Sequence, residues 1–257
     1  GMKWNKVQVM LHGKNVADHF PMIKMGPGGI KLATGVKLIK INRVENPNYI
    51  FIDLVIDATA KPGRIKFPFV RNMDLSYELK ARRSGNGSSF AQGVTSRDFM
   101  YLIMPDRFSN GDESNDRIPG MRDQTLRRDT VFNRHGGDLK GIQNHLDYLQ
   151  SLGVTALWLN PVLENDMDNR TEHGYAFTNH YKVDPRLGGD KAYHDLVEAA
   201  HKKGLKIIQD AVYNHVGIKH HTVLDSPMND WLHQWPGFTQ TSYKDQVLFD
   251  PYASKSD

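Results

Sequence analysis

The hydrophobic period of the chain changes near residue 98, and this change constrains the fold more than any other feature. Before it, short runs of β-branched and aromatic residues alternate at period two; "YIFIDLVID", for example, puts the apolar residues from Ile50 to Ile56 on one face. After it, continuous apolar runs alternate with segments whose apolar residues are three and four apart. The pattern predicts an all-β unit followed by an α/β unit.

Residues 1–82 predict a small β-sandwich. About five to seven short strands are separated by Gly, Pro and Asn turn signals, and a sandwich is the natural closure for so many short strands. Residues 83–98, within "ARRSGNGSSFAQGVTSRD", are small and polar, with few groups able to pack. They predict a linker between the two units.

Residues 99–217 predict an α/β unit with parallel strands. The runs "FMYLIMP", "VTALWLNPV" and "LKIIQDAV" are expected to be strands buried on both faces, and a helix is expected in each interval between them. Strand, helix and strand in this order imply right-handed crossovers, which both a barrel and an open doubly wound sheet contain. No Gly-rich phosphate loop follows the first strand, and this favours the barrel.

Composition excludes several classes of partner. The net charge is +4 and the basic residues are spread along the chain, which is typical of a solvated surface and gives no reason to expect a nucleic-acid partner. No apolar run approaches the roughly 18 residues that span a bilayer. The absence of cysteine excludes disulfides and thiolate metal sites.

Oxygen donors crowd the loop "DRFSNGDESND" and the following "HGGD". Asn110, Asp112, Asn115 and Asp116 share one short loop, and Asp138 ends the second stretch. Several hard oxygen donors on a tight loop suit Ca²⁺. An Asx-rich turn, with Asp138 capping the helix that follows, explains the same residues without a metal.

Aromatic and imidazole side chains crowd residues 171–189, "TEHGYAFTNHYKVDPRLGG". His173, Tyr175, His180 and Tyr181 lie between a predicted strand and a predicted helix, where barrel enzymes carry substrate loops. Aromatic faces and imidazole donors suit a sugar. Tyrosines that merely pack over the barrel mouth would give the same pattern.

Polar residues follow the ends of the three predicted parallel strands at Asp106, Asn160 and Asp210. The last of these begins "DAVYNH", in which Asn214 and His215 follow closely. They are either part of a site or partners for backbone groups where the strand ends. A metal cluster of His215 with the histidines at 220 and 221 is disfavoured, because no helical H-x-x-x-H spacing and no fixed carboxylate completes it.

Several of these stretches together resemble one family. "DAVYNH" is similar to the first signature of the α-amylase superfamily, glycoside hydrolase family 13, and "HGYAFTNHYKVDPRLGG" resembles the loop that shapes its sugar subsite. "YLIMPDRFSNGD" resembles its first barrel strand, and "DWLHQWPGFTQTSYKDQVLFDPYAS" resembles the start of the domain inserted after the third strand. The nearest resemblance is to the cyclomaltodextrinase and neopullulanase branch, in particular the Bacteroidetes type.

The resemblance implies a fold and a set of domains. An immunoglobulin-like β-sandwich over residues 1–82 would precede the first three strands of an incomplete (β/α)8 TIM barrel over 99–217. Residues 218–257 would begin the inserted domain. The resemblance also implies an exported protein that acts on α-glucan oligosaccharides, cyclodextrins or pullulan, and a homodimer is one expected form.

The resemblance also assigns roles to individual residues. It implies that Tyr175 stacks under the sugar at the cleavage subsite, that His173 and His215 bond its hydroxyls, and that Asp210 is a supporting carboxylate. Asn214 is kept as a site-shaping residue. The implied cofactor is Ca²⁺, and its implied ligands are Asn110, Asp112, Asn115, Asp116, the carbonyl of Gly136, and Asp138.

The catalytic carboxyl pair of the family is not expected within these residues. A retaining glycosidase needs a nucleophile and an acid about 5 to 5.5 Å apart, and in this family they follow the fourth and fifth strands. No "GFRxD"-like stretch occurs, and no Glu follows Glu198. We therefore expect an α-1,4-glucan hydrolase whose 257-residue part is inactive alone, and poorly soluble or dependent on a partner because its parallel edge is unpaired.

Two other functions remain open from the sequence. A non-catalytic glucan-binding protein would use Trp231, Trp235 and Phe238 as stacking platforms, although such aromatics also form domain cores. A transglycosylase would use the same fold and intermediate, with a sugar hydroxyl in place of water.

Overall fold

A computed structural model of the chain describes residues 5–22, 28–68, 70, 75–81 and 93–232. Most of the predicted linker, and the part of the predicted inserted domain beyond residue 232, lie outside these ranges. Within them, no helix is long and apolar enough to cross a membrane. The domain boundaries at 82, 98 and 217 stay predictions.

The first unit contains an antiparallel sheet of four strands and a two-stranded hairpin. The large sheet has the order β1, β4, β3, β2, and the hairpin pairs β5 with β6. A short 3-10 helix, Val16–His19, follows β1. The strands are β1 Lys6–His12, β2 Ile30–Ala33, β3 Val36–Arg43, β4 Tyr49–Ile56, β5 Gly63–Lys66 and β6 Ser76–Leu79.

The period-two pattern of "YIFIDLVID" is confirmed. Ile50, Ile52 and Leu54 are each at most 1% exposed and pack with Phe20, Leu38 and Phe67 in one core, to which Leu75 and Tyr77 of the hairpin segment also contribute. The two sheets therefore close over a shared apolar core, as the sequence predicts for this region.

The second unit contains three parallel strands and five short or medium helices. The strands β7, β8 and β9 lie side by side in that order, so the predicted parallel pairing is confirmed. They are Met100–Ile103, Ala156–Leu159 and Lys206–Gln209. The helices are α1 Pro105–Phe108, α2 Leu139–Asn144, α3 Leu146–Ser151, α4 Gly189–Lys202 and α5 His221–Leu224, with 3-10 turns at Glu113–Asn115 and Pro185–Leu187.

The first crossover helix is broken at His145. The Nδ1 atom of His145 lies 2.8 Å from the carbonyl oxygen of Gly141, the acceptor that the backbone N–H of residue 145 would use in a continuous helix. That N–H bonds to Ile142 instead. The two pieces, α2 and α3, still present Leu139, Ile142, Leu146 and Leu149 to the core, as the spacing predicts.

The prediction that the parallel strands are buried on both faces is wrong for the described residues. Leu157 and Leu159 of β8 are fully buried, as is Ile103 of β7, and they pack with residues of α2 and α4. On the other face, Leu102 is 57% exposed and Trp158 is 39% exposed. Both helices lie on the same side of the sheet, and no described element covers the opposite side.

The two units meet along the outer face of β4. Tyr49 stacks on His12, and His12 stacks on His221 of α5, with ring centroids 4.4 and 5.0 Å apart. Burial, with the nearby carboxylate of Asp225, raises the pKa of Tyr49 to about 12.

Asp225 supplies the polar part of this contact. It accepts hydrogen bonds from the amides of Asn46 and Asn48, at 2.6 and 3.0 Å, and lies 3.0 Å from His12 Nε2. Loops of the β-unit are thereby tied to the segment that follows α5.

Candidate functional site

The three strand-end residues come to one edge of the parallel sheet. The ladder continues one residue past the strands, because the N–H of Asn160 donates to Ile103 at 2.9 Å and that of Asp210 donates to Leu159 at 3.4 Å. Asp106 is 1% exposed and Asn160 is 7% exposed, whereas Asp210 is half-buried. The polar residues therefore gather at the carboxyl ends of the strands, where α/β folds bind ligands.

Asp210 is joined to the aromatic loop through Tyr175. The Tyr175 hydroxyl donates to Asp210 Oδ2 at 2.9 Å, and His215 Nε2 donates to the Tyr175 carbonyl at 2.9 Å. The backbone N–H of Tyr175 donates to His173 Nδ1 at 2.9 Å. Four of the predicted substrate-site residues thus form one cluster, and Asn214 adjoins it through a 3.3 Å contact with His215 Nδ1.

A glycine makes this loop possible. Gly174 has φ +82°, and a Cβ there would lie 2.1 Å from the carbonyl oxygen of Pro161. The backbone therefore passes directly against the segment after β8. This close approach sets His173 and Tyr175 on either side of one turn, with ring centroids 5.9 Å apart.

The electrostatics of the cluster favour neutral hydrogen-bonding groups. Burial lowers the pKa of His173, and burial together with the carboxylate of Asp210 raises the pKa of Tyr175. Because His173 Nδ1 accepts a hydrogen bond, its proton lies on Nε2, which makes that atom a donor. Tyr175 keeps 37% of its surface exposed, so its ring is accessible to a ligand.

His215 is held more tightly than the sequence suggests. Its Nε2 is engaged by the Tyr175 carbonyl and its Nδ1 by the Asn214 amide. In this arrangement both ring nitrogens of His215 contact other groups of the protein. The role of His215 as a direct ligand of a sugar stays a prediction, as do the roles of the other candidate site residues.

His180 and Tyr181 do not join the Asp210 cluster. His180 Nδ1 lies 3.1 Å from Nε2 of the buried His220, which adjoins His221, and the ring of Tyr181 is 91% exposed. Among the described residues, no group of three or more His, Cys, Asp or Glu is placed to hold a metal ion.

The predicted calcium ligands also lie together, and Asp138 is their central anchor. Its Oδ1 accepts from the backbone N–H groups of Gly111 and Gly141, at 3.1 and 2.6 Å. Its Oδ2 accepts from the N–H of Asp112 at 2.9 Å and from the Asn115 amide at 3.1 Å. Asp138 thus caps α2, as the sequence predicts, and also fixes the oxygen-rich loop.

The other predicted ligands lie in or beside the same loop, but the described carboxylates of Asp112, Asp116 and Asp138 do not form a group placed to hold a metal ion. Asn115 Oδ1 is buried and has no hydrogen-bond partner. Asn110 bonds to Asp116 at 2.8 Å, and a Cβ at Gly136 would lie 2.6 Å from Asp116 Oδ1, so the Gly136 backbone adjoins that carboxylate. Burial raises the pKa of Asp116, because it penalises the charged form. Ca²⁺ takes oxygen ligands, so the unpartnered amide oxygen of Asn115 favours the predicted ion.

A buried ionic network that the sequence did not reveal lies beneath the loop. Arg186 is fully buried, donates to both oxygens of Asp184 at 3.0 and 2.7 Å, and also donates to the carbonyls of Asn165 and Asp123. Although burial opposes it, the Arg186 guanidinium holds the pKa of Asp184 below its usual range. The signal in the sequence was the short "DPR" stretch, which resembles an ordinary turn.

A second arginine belongs to the same network. Arg134 is 2% exposed, lies 3.6 Å from Asp106 Oδ1, and donates to the carbonyl and hydroxyl of Thr171 at 3.3 Å. Asp106 also accepts from the backbone N–H of His135. The loop that carries His173 and Tyr175 therefore packs on a layer of charged, hydrogen-bonded side chains and not on an apolar core.

Two known families match the chain. The family described as "Cyclomaltodextrinase, N-terminal" matches residues 1–83, and the family described as "Alpha amylase, catalytic domain" matches residues 102–251. The second match covers more than half of the chain and includes every candidate site residue named above.

The chain spans about a fifth to a quarter of the length of the curated relatives named here. A cyclomaltodextrinase of Thermoanaerobacter pseudethanolicus is 36% identical over 156 residues, which are 57% of this chain and 26% of the relative. Neopullulanase 2 of Thermoactinomyces vulgaris is 42% identical over 122 residues, 46% of this chain and 20% of the relative. The periplasmic α-amylase of Escherichia coli K12 is 37% identical over 129 residues, 46% of this chain and 19% of the relative.

Proposed function

Because the chain belongs to the α-amylase family, within its cyclomaltodextrinase and neopullulanase branch, we propose that it forms part of an enzyme that hydrolyses α-1,4 links in α-glucans. The observation that carries this proposal is the cluster of Tyr175, Asp210 and His173 at the carboxyl ends of the parallel strands. It offers an exposed aromatic face beside a carboxylate and an imidazole donor, which are the groups that a glucosyl ring can stack on and bond to.

The cluster acts on the substrate by binding and orientation. Asp210 fixes the hydroxyl of Tyr175, and His215 fixes its backbone, so the tyrosine ring is held before a sugar arrives. A rigid face of this kind lowers the entropic cost of placing the sugar for reaction. The nucleophile and the acid of a retaining mechanism are not assigned to any residue of this chain.

We also propose a structural Ca²⁺ in the oxygen-rich loop. The supporting observations are the buried Asn115 Oδ1, which has no hydrogen-bond partner, and the half-buried carboxylate of Asp116, whose pKa is raised by burial. When bound, the ion supplies charge neutralisation to the loop and takes no part in bond cleavage. The proposed ligands are Asn110, Asp112, Asn115, Asp116, the carbonyl of Gly136, and Asp138.

The same proposal covers the fold type of each unit, the substrates, the cellular location and the oligomeric state. The first unit is an immunoglobulin-like sandwich, and β7 to β9 are the first strands of a (β/α)8 barrel. Cyclodextrins, pullulan and starch oligosaccharides are the proposed substrates, since relatives are named cyclomaltodextrinase and neopullulanase. An exported location is supported by the relative named periplasmic α-amylase, and a homodimer is kept as a proposal.

Product release tests the proposed activity. The 257-residue chain and a longer protein that carries it are incubated separately with β-cyclodextrin, pullulan and soluble starch. We expect maltose or panose from the longer protein and none from the chain alone. Release by the chain alone would contradict the placement of the catalytic pair, and no release by the longer protein would contradict the hydrolase.

A matched variant connects this activity to the observed cluster. Asp210→Asn in the longer protein keeps the size of the side chain and a hydrogen-bond acceptor but removes the charge beside Tyr175. We expect a fall in kcat/KM of at least about tenfold, because the carboxylate that holds the Tyr175 hydroxyl loses its charge. The same change at the exposed Asp195 on α4 is the control and should leave the rate unchanged.

The structure favours the hydrolase over a non-catalytic glucan-binding protein at one position. Trp231 packs against Phe51 with ring centroids 6.2 Å apart, so part of its surface joins the two units and is not offered to a sugar. Trp235 and Phe238 lie outside the described residues. A transglycosylase differs only in the acceptor of the glycosyl group, and analysis of products at high sugar concentration distinguishes it.

A further inference from the structure

Three buried polar atoms under the aromatic loop have no hydrogen-bond partner, and the side chains that carry them line one small cavity. They are Arg134 Nη2, Asn165 Oδ1 and Glu172 Oε2. Their side chains belong to residues that are 2%, 1% and 9% exposed. One of these atoms, Arg134 Nη2, also lies 3.6 Å from Asp106 Oδ1 in an ion pair. Among the described residues only one other buried side-chain atom, Asn115 Oδ1, lacks a partner, so these orphans are concentrated at one place.

The cavity has the size of a single water molecule. Its volume is about 10 Å³, and its wall also includes Asp106, Gly174 and Asp184. A cavity of roughly 10 to 15 Å³, measured in this way, holds one water when enough polar groups face it.

The donors and acceptors match water. Arg134 Nη2 is a hydrogen-bond donor, while Asn165 Oδ1 and Glu172 Oε2 are acceptor oxygens. Water accepts one hydrogen bond and donates two in such a site. We propose that this cavity binds one structural water molecule, which joins Arg134, Asn165 and Glu172.

A metal cation does not fit the same cavity. Hard cations take about six or more oxygen ligands, and only two unpartnered oxygens line the wall. The positive guanidinium of Arg134 also faces this space and would repel a cation. The same charge pattern gives no reason to expect an anion, because Asp106, Glu172 and Asp184 surround the cavity.

The water links the turn that carries His173 and Tyr175 to the buried ionic network beneath it. Glu172 immediately precedes His173, and the amide of Asn165 also reaches the carbonyl of Thr171 at 3.5 Å. The bridging water therefore adds a tie between the buried network and the turn that carries Tyr175. We assign Glu172 and Asn165 as positioning residues for this turn.

A crystal structure that resolves ordered waters tests the binding site directly. We expect one isolated peak within about 2.7 to 3.2 Å of Arg134 Nη2, Asn165 Oδ1 and Glu172 Oε2. An empty cavity, direct contacts among the three side chains, or a peak with five or six oxygen neighbours would each overturn the proposal.

Magnetic relaxation dispersion of water ¹⁷O counts long-lived internal waters in solution and provides the second test. Glu172→Met removes the acceptor, and we expect the count to fall by one. Glu172→Gln keeps an amide oxygen and should keep the count. The same substitution at an exposed position, Glu198→Met on α4, is the control and should leave the count unchanged. An equal count in Glu172→Met and in the unaltered protein would overturn the proposal.

Amide hydrogen exchange reports whether the water positions the turn. In Glu172→Met we expect the backbone N–H of Tyr175 to exchange about tenfold faster, as loss of roughly one hydrogen bond implies. Glu172→Gln should restore slow exchange. Unchanged exchange at Tyr175 in Glu172→Met would overturn the positioning role. None of these readouts depends on glucan hydrolysis.

Discussion

In the described part of residues 5–81, every buried side chain is aliphatic or aromatic, whereas residues 106–222 bury fourteen polar or charged side chains. The β-unit closes its core with residues such as Leu38, Ile52 and Leu54. The α/β unit has a second apolar core of its own and, past the strand ends, a layer that contains Asp184 and Arg186. The two units therefore hold their structures together by different means.

The difference shows where the chain carries its chemistry. Burying polar groups costs free energy unless every group is paired, so such a layer is a poor way to gain stability alone. In this protein the layer lies directly beneath the turn of His173 and Tyr175. We infer that the β-unit contributes stability through apolar burial. The α/β unit gives up some of that stability by burying polar groups, which hold the candidate site in a fixed geometry.

The largest effect is expected at the buried ion pair. Arg186→Met leaves the carboxylate of Asp184 buried without its partner, and we expect the free energy of unfolding to fall by about 3 to 5 kcal/mol. Chemical denaturation measures this change. Lys191→Met breaks an exposed pair with Asp195 and should cost about 1 kcal/mol or less. Equal costs for the two variants would contradict the claim that the buried pair of Arg186 and Asp184 holds the polar layer together.

A core truncation in the β-unit is expected to cost somewhat less. Leu54 is 1% exposed in the shared apolar core, and Leu54→Ala should lower the free energy of unfolding by about 2 to 5 kcal/mol through lost burial and a cavity. Leu152→Ala, at a residue 45% exposed, is the matched control and should cost far less. If Leu54→Ala were as mild as this control, the β-unit core would not be closed as described.

Calcium is expected to act on the α/β unit alone. At about 100 times its dissociation constant, a bound ion stabilises the folded state by about 2.7 kcal/mol, so a chelator should lower Tm. Asp116→Asn should abolish the difference between Tm with and without Ca²⁺. Asp53→Asn, at a half-buried carboxylate of the β-unit, should preserve it. A Tm that does not respond to calcium would contradict the site.

Acid is expected to lower the free energy of unfolding through the buried His220. Burial, with the neighbouring His221 and His180, lowers the pKa of His220 from 6.5 to about 4. The unfolded state therefore binds the proton first, and the stabilisation is complete above pH 6.5 and is lost as pH falls from 6.5 toward 4. We expect a loss on the order of 2 kcal/mol from this group.

The variant His220→Asn isolates the contribution of His220 to this loss of stability. His173, His180 and His221 also have lowered pKa values and contribute over the same range of pH. Asparagine keeps the acceptor that caps α5 through the N–H of Thr222 but does not titrate. The free energy of unfolding, measured at each pH from 4 to 7, should change less with pH in the variant than in the unaltered protein. The same dependence on pH in both proteins would contradict the role assigned to His220.

The sequence predicts those parts of the fold that follow from local periodicity. The period-two face of β4 and the order of parallel strands are both legible in the chain, because side-chain alternation and crossover geometry are local rules. The gathering of Asp106, Asn160 and Asp210 follows from the same order.

What the sequence could not show depends on contacts between distant segments. Arg186 resembles a turn residue until the fold brings Asp123 and Asn165 against it. The break at His145 depends on one side-chain nitrogen that lies against a carbonyl of its own helix. The exposed face with Leu102 and Trp158 could not be foreseen either, because an apolar run alone does not say which elements cover it.

The central claim is that the turn of Tyr175 recognises an α-glucan, and calorimetric titration of maltotetraose tests it most directly. We expect the longer protein that carries this chain to bind maltotetraose at least about tenfold more tightly than its Tyr175→Ala variant, with Tyr175→Phe between them because the ring remains. Cellotetraose, with β-1,4 links, should bind weakly to all three. Equal affinity of the unaltered protein and Tyr175→Ala for maltotetraose would contradict the account.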